Sequence, residues 1–451
     1  MAAEGATETE MSFEEEEEEE DHGIALSMVE RPKKMRAKIP KSCHVTTDLC
    51  VRLIHKAMCK NQWERASGLL SNYLQILEDR NTFRRGEAPK IIWRLGNEIL
   101  LNHPKATKDD ISVFNEYMKN IGVKNYLPIS LEQAYYMMCI GETDEALRVL
   151  SLAESWRYGR LSISQNKLQK LIQAHRAVLN YRSWVDLKAA AGQNDQDYVS
   201  QSSSTQVMRS YYRQATVAFR EIIQSPGVWD PFVLNYVHLL ESSGEKQEAE
   251  KVLTEYANNT KNPANPNAHV YLYEFMTRNE ASDEMLINTL RPLYAMTPSH
   301  KLMLNFSKLL HSADSEDDQK LALQVLFDLL EFSGWKKDLK AWSYLAKQLK
   351  RTFRHDRSAW VLEAWLPRKS WWPSYHFTKF HAKKDWQECA ELAMKKALVA
   401  GTLQGPDCVY YTWVSVSGRR RHKAAMNRMD KFIKKHNCEN IPDPVLVPSE
   451  P

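Results

Sequence analysis

Ser130-Leu-Glu-Gln-Ala-Tyr-Tyr-Met-Met-Cys-Ile-Gly-Glu-Thr-Asp-Glu-Ala-Leu147 is the stretch that decides how this chain folds. Ala134 and Ala146 stand twelve apart about Gly141, and Leu150 and Ala153 follow Ala146 at four and seven. Two apolar stripes of helical spacing on either side of a glycine make an αα-hairpin. The small residues occupy positions where tetratricopeptide-like repeats let antiparallel helices approach closely. Val237, Ala249, Leu253 and Tyr256 keep the same intervals about Gly244, so the clearest hairpins span 130–156 and 231–257.

Working toward the N-terminus, apolar residues recur from Leu49 at Leu53, Ile54, Ala57 and Met58. After a break at Asn61 they resume at Trp63, Ala66, Leu70, Tyr73 and Leu77. Toward the C-terminus, Trp386, Ala390, Met394 and Ala397 give a further second-helix pattern whose first helix is poor. The full repeat signature is complete at no site. The expected fold is therefore all-α: an irregular α-solenoid of tetratricopeptide-like helical hairpins, or a non-repeating helical array built from the same pieces. Glycine and proline support this, since 33 such residues in 451 are about 7% of the chain, against roughly 12% in ordinary proteins.

Composition narrows the class. A 43% apolar and 26% charged chain folds over most of its length. No stretch approaches 18 uninterrupted apolar residues and the N-terminus is acidic, so neither a spanning helix, a membrane partner nor a secretory signal is expected. Seven scattered cysteines without a C-x-x-C pair suit a reduced compartment. The expected organisation is an acidic then basic disordered tail at 1–42 and a helical-hairpin region at 43–188. A polar linker follows at 189–206, then a second hairpin region with a basic end at 207–441 and a frayed tail at 442–451. Pro263 and Pro266 mark a further break between Asn258 and Asn267.

Charge is unevenly distributed. Eleven acids lie within residues 1–21, including Glu14 to Asp21, whereas from Phe332 onward 23 lysines and arginines face 11 acids. A run of like charge repels itself and stays solvated. Arg31, Lys33, Lys34, Arg36, Lys38 and Lys41 follow the acidic run with no acid among them. Such a cluster serves as a nuclear import signal, a phosphate-binding arm or a solvated linker.

Motifs for catalysis and cofactors are missing from the sequence: there is no Walker loop, dinucleotide fingerprint, nucleophile elbow or H-E-x-x-H. No enzyme activity, cofactor or metal is expected. Cys43, His44, Cys50, His55 and Cys59 come nearest to a metal set, but Cys50, His55 and Cys59 on one helix splay apart and read better as core thiols. Between Trp360 and Trp386 aromatics are dense, with Trp365, Trp371, Trp372, Tyr375, Phe377 and Phe380 interleaved with Arg368, Lys369, Lys379, Lys383 and Lys384. Core packing or a protein-binding hot spot explains them more simply than base stacking. The sharper feature is Arg419, Arg420, Arg421, Lys423, Arg428, Lys431, Lys434 and Lys435, eight cations in seventeen residues against Asp430 alone. With Ala425, Met429, Phe432 and Ile433 on one stripe, this segment reads as a cationic amphipathic helix that meets phosphates or an acidic partner.

Particular phrases carry a resemblance. They include Ala88-Pro-Lys-Ile-Ile-Trp-Arg-Leu-Gly-Asn-Glu-Ile-Leu100, Gly227-Val-Trp-Asp-Pro-Phe-Val233, Asn265-Pro-Asn-Ala-His-Val-Tyr-Leu-Tyr273 and Arg368-Lys-Ser-Trp-Trp-Pro-Ser-Tyr-His-Phe377. Together with Met118–Leu127, Pro298–Leu304 and Ala341–Lys347, they run in order through the folded part. The chain resembles the A-subunit family of the TATA-box-binding-protein-associated factors of RNA polymerase I. The resemblance implies a non-catalytic member of a promoter selectivity complex in the nucleus and nucleolus. Its implied partners are TATA-box-binding protein, sibling associated factors, the RNA polymerase I machinery with its architectural upstream binding factor, and the ribosomal DNA promoter. It assigns no contact residues; those above rest on charge. A helical-repeat adaptor that does not contact DNA is the alternative.

Overall fold

Helices form all the regular structure among the described residues, which in this computed structural model are 42–78, 82–121, 125–156, 159–191, 198–225, 227–419 and 422–438. The basic run Arg31 to Lys41, both expected terminal tails, and Arg420 and Arg421 lie outside them. The chain divides into two compact units, residues 1–125 and 126–451.

The first unit holds α1 (Ser42–Met58), α2 (Trp63–Glu78), α3 (Thr82–Asn102) and α4 (Lys108–Ile121). Asn61 takes a left-handed conformation, φ 54°, in the turn where the first stripe breaks. Ile54 and Ala57 of α1 pack with Ala66 and Tyr73 of α2 and with Leu95 and Ile99 of α3. Cys50 lies in that core and donates its thiol to the Leu69 carbonyl, whereas His55 and Cys59 are exposed. The core-thiol reading thus holds for Cys50 and is corrected for Cys59, which lies past the end of α1 in the exposed turn.

The second unit opens with the hairpin α5 (Tyr126–Cys139) and α6 (Thr143–Ser155). Ala134, Ala146, Leu150 and Ala153 are all fully buried, and Gly141 makes the turn with φ 85°. A side chain larger than alanine has no room at such a crossing. Ala146→Leu is therefore expected to overpack it and lower stability by about 1–3 kcal/mol, read from the urea midpoint. Two long helices follow, α7 (Ile163–Ala191) and α8 (Tyr198–Ile223), paired through Ala174, Ala177, Trp184, Ala215 and Phe219. The described ends of the 189–206 segment are thus helical, Ala191 closing α7 and Tyr198 opening α8, because these helices share one core.

Next come the hairpins α9 (Asp230–Ser243) with α10 (Lys246–Ala257), α11 (Pro266–Arg278) with α12 (Asp283–Met296), and α13 (Met303–Ser312) with α14 (Glu316–Glu331). Val237, Ala249, Leu253 and Tyr256 are buried as their spacing predicts, and Gly244 ends α9 at φ 89°, where other residues are strained. Asp230 ties the 258–267 loop down: it accepts from Tyr256 Oη at 2.7 Å, Asn265 Nδ2 at 2.7 Å and Asn267 Nδ2 at 2.9 Å. Ser282, Ser315 and Asn265 accept backbone N–H bonds at the first turns of α12, α14 and α11. Each hairpin packs on the next, so neighbours bury the stripes that no hairpin buries alone.

The last part departs from simple stacking. It comprises α15 (Leu339–Arg354), α16 (Ser358–Trp365), α17 (Trp372–His376), α18 (Lys379–Glu388), α19 (Ala390–Gln404), α20 (Val409–Gly418) and α21 (Lys423–Lys435). Helix α19 contacts α15, α18, α20 and α21, and its residues from Lys396 to Leu403 are all buried. A helix covered all round is the centre of a bundle rather than a link in a row. The stripe Trp386, Ala390, Met394 and Ala397 is divided between α18 and α19, because Cys389 takes an extended backbone, φ −155° and ψ 102°.

Candidate anion-binding surface at the C-terminal end

Helix α21 is placed by its apolar side. Met426, Met429 and Ile433 are buried, and Ile433 reaches α19 at Gly401, where an added Cβ would come within 2.5 Å of its Cδ1. Glycine here lets the cationic helix lie close to the bundle centre. Lys423, Arg428, Lys431, Lys434 and Lys435 are consequently exposed. Arg419 is exposed too, 3.7 Å from Asp430, whose carboxylate already accepts from the Tyr411 hydroxyl.

Between α21 and its neighbours runs a groove of about 870 Å³. Arg428 and Lys431 line it from α21, and three residues that sequence reasoning missed join them: Lys350 and Arg354 from α15, and Lys395 from α19. Glu391 is the single acid among the lining residues, 4.0 Å from Lys395. Half-burial, with Lys395, Arg354 and Arg428 nearby, holds the Lys350 ammonium below its ordinary pKa, burial being the larger cause. Its Nζ lies 5.7 Å from the Phe432 ring centre. Among the described residues, Lys350 and Arg354 pair with no carboxylate. Among the described residues, Glu391 alone offsets this concentration of positive charge within the groove. A signal for it exists in the sequence, since Lys347, Lys350, Arg351 and Arg354 recur at helical spacing.

The aromatic stretch behaves differently. Trp365, Trp372 and Phe377 are buried, with Trp372 packed against Phe327, Trp342 and Trp365 at centroid distances of 5.2, 6.2 and 6.2 Å. Arg368 is buried as well. It donates Nε to Glu331 at 2.8 Å, Nη1 to the Ala364 carbonyl at 2.6 Å, and Nη2 to Asp328. Trp360, Trp371, Tyr375 and Trp386 are partly covered, while Lys369, Lys379, Lys383 and Lys384 face solvent. Phe380 is the exposed ring of the group, 67% accessible, with Lys384 5.9 Å from it. Trp365, Trp372 and Phe377 are core, and Phe380 is the one largely exposed ring among the aromatics named here, so no row of exposed rings is present to stack successive bases.

Within this core His376 is fully buried against Trp342, Trp372 and Tyr375. Burial, reinforced by Lys396 and Lys336, pushes its pKa from 6.5 to about 2. In the unfolded chain the same ring takes up a proton below its ordinary pKa, so the unfolded state binds more protons and acid favours unfolding. Stability from this residue is complete above that ordinary value and declines as pH falls toward the folded one, by up to about 1.4 kcal/mol per pH unit. Replacing His376 by Phe is expected to narrow the gap between urea midpoints taken at about pH 7 and about pH 5. An unchanged gap would place the acid sensitivity elsewhere.

Among the described residues no group of three or more histidines, cysteines or acids is arranged to hold a metal ion. No described helix is long and apolar enough to cross a membrane.

Comparison with known proteins bears on what such a surface serves. A family model for the A subunit of TAF RNA Polymerase I matches residues 56–416. The chain is 44% identical over 395 residues to the RNA polymerase I TATA box-binding protein-associated factor, A subunit, of Mus musculus, covering 88% of this chain and 87% of that one. It is 42% identical over 395 residues to the protein of that name in Homo sapiens, covering 88% of each. Among solved structures it is similar to the human IFIT1 dimer, 13% identical over 86% of each chain with a TM-score of 0.25, a likeness that carries no argument.

Proposed function

The chain belongs to the A-subunit family of TAF RNA polymerase I, and from that premise we propose that it is a helical scaffold in RNA polymerase I pre-initiation complex assembly. Members of this family are non-catalytic transcription factor subunits. The names of the relatives imply association with TATA-box-binding protein in an RNA polymerase I factor, which implies the nucleus. The reading assigns the hairpin surfaces to TATA-box-binding protein and sibling associated factors. The assembled complex meets the RNA polymerase I machinery with its architectural upstream binding factor at the ribosomal DNA promoter, in the nucleolus. Similarity over 88% of the chain to relatives that bear this name carries the reading.

The cationic end at residues 419–435 lies past the span matched by the family model, so its role is argued from its own chemistry. Exposed lysines and arginines on a helix docked by its apolar side fit the phosphate backbone of the promoter. Neutralising phosphates releases counterions, and four engaged cations give a log–log salt slope near about −3.6. Reversing the charges of Arg419, Arg420, Arg421 and Lys423 is expected to weaken promoter association of the assembled complex and flatten that slope, with the complex itself still assembling. An unchanged slope supports the alternative, an adaptor that does not contact DNA.

A further inference from the structure

We infer that the groove between α15, α19 and α21 is a docking site for an acidic amphipathic helix of a protein partner. The inference is independent of whether the outward cations of α21 touch DNA. The groove has two faces of different chemistry. Lys350, Arg354, Lys395, Arg428 and Lys431 supply a rim of positive charge, against which Glu391 is the one acid. Met394 and Phe432, both half-buried, supply an apolar floor beside the buried Leu398 and Met429.

A duplex presents phosphates on its outer surface and would satisfy the rim but leave the accessible parts of Met394 and Phe432 uncovered. An amphipathic helix satisfies both. Its apolar residues at i, i+3, i+4 and i+7 enter the lining, and its carboxylates meet the rim. Methionine adapts its shape to the side chains it receives, so the lining tolerates sequence variation in the partner. The rim cations come from three helices that the bundle holds in place, so the charge is assembled before the partner arrives. Charge complementarity selects the occupant: a neutral or basic helix would leave five cations facing its surface.

The test uses the full chain and a fluorescent synthetic peptide of about 18 residues, five turns of helix. The peptide carries leucine at i, i+3, i+4 and i+7 positions and glutamate elsewhere. A second peptide of equal composition has the leucines scrambled, and a duplex DNA of matched charge is the competitor. Anisotropy is expected to show the striped peptide binding at least tenfold more tightly than the scrambled one. Lys350→Glu with Arg354→Glu is expected to weaken it at least tenfold. Both residues reach solvent on α15, and Arg354→Glu alone, at the more exposed site, is the milder variant should the double one unfold by circular dichroism. Equal binding of the two peptides, or displacement of both by DNA at equivalent charge, would overturn the inference and leave the groove a general polyanion site. Because neither substitution touches residues 419–423, loss of peptide binding with an unaltered promoter salt slope separates this site from the DNA contact.

Discussion

Asp385→Ala is expected to lower the stability of the unit spanning 126–451 by about 3–5 kcal/mol. Asp385 and Lys396 are 2% and 1% exposed, and Lys396 Nζ donates to Asp385 Oδ2 at 2.5 Å. Tyr410 donates its hydroxyl to the same oxygen at 2.8 Å. Burial, the larger cause, keeps the Lys396 pKa below its ordinary value even against the attraction of Asp385. The pair is therefore favourable only when complete: removing the carboxylate leaves a buried amine without its partner. Helix α18 loses its polar tie to α19 and α20 together. The companion variant Asp385→Leu with Lys396→Met removes both charges and is expected to recover most of the loss. Urea midpoints followed by tryptophan fluorescence check both. A single variant as stable as the parent would show that the pair is not desolvated.

Trp372→Ala is expected to have an effect of similar size, about 3–5 kcal/mol, since a buried tryptophan leaves a cavity its neighbours cannot fill. Phe327, Trp342, Trp365 and His376 all meet the ring. They come from α14, α15, α16 and α17, so the loss spreads across the junction between the stacked hairpins and the closing bundle. Phe380→Ala, on the exposed ring only eight residues later, is expected to change stability by less than about 0.5 kcal/mol. Equal and small effects on both would return the stretch to the surface. Thermal melts of the two variants beside the parent decide between these outcomes.

The hairpins were legible because their information is local. Ala134 and Ala146 sit twelve residues apart whatever the rest of the chain does, and a glycine between them marks the turn. What joins distant segments was not legible. Arg368 looks like any surface cation until α14 brings Asp328 and Glu331 against it, some forty residues upstream. Lys396 likewise stands in an ordinary amphipathic-looking helix, and only the closure of α15, α18 and α20 around α19 buries it. The stripe through Trp386 and Ala397 has helical period across Cys389, where periodicity alone cannot reveal an extended residue.

The functional surface shows the same division. The eight clustered cations near the C-terminus stand out because they are close together in the chain, and the structure exposes all those it describes. Lys350 and Arg354 belong to a helix some seventy residues earlier and become part of the groove through the return of the chain. Their spacing is visible, but their destination depends on tertiary packing. The aromatics from Trp360 to Trp386 mislead in the opposite sense, since a sequence rich in rings and cations reads alike for a core and for a stacking surface. Burial separates the two.

Protein–DNA cross-linking of the assembled RNA polymerase I factor on promoter DNA, with adducts mapped by mass spectrometry, tests the central claim most directly. Adducts on residues 419–435 of this chain are the expected result. Adducts confined to its partners, with none between residues 360 and 436, would contradict it.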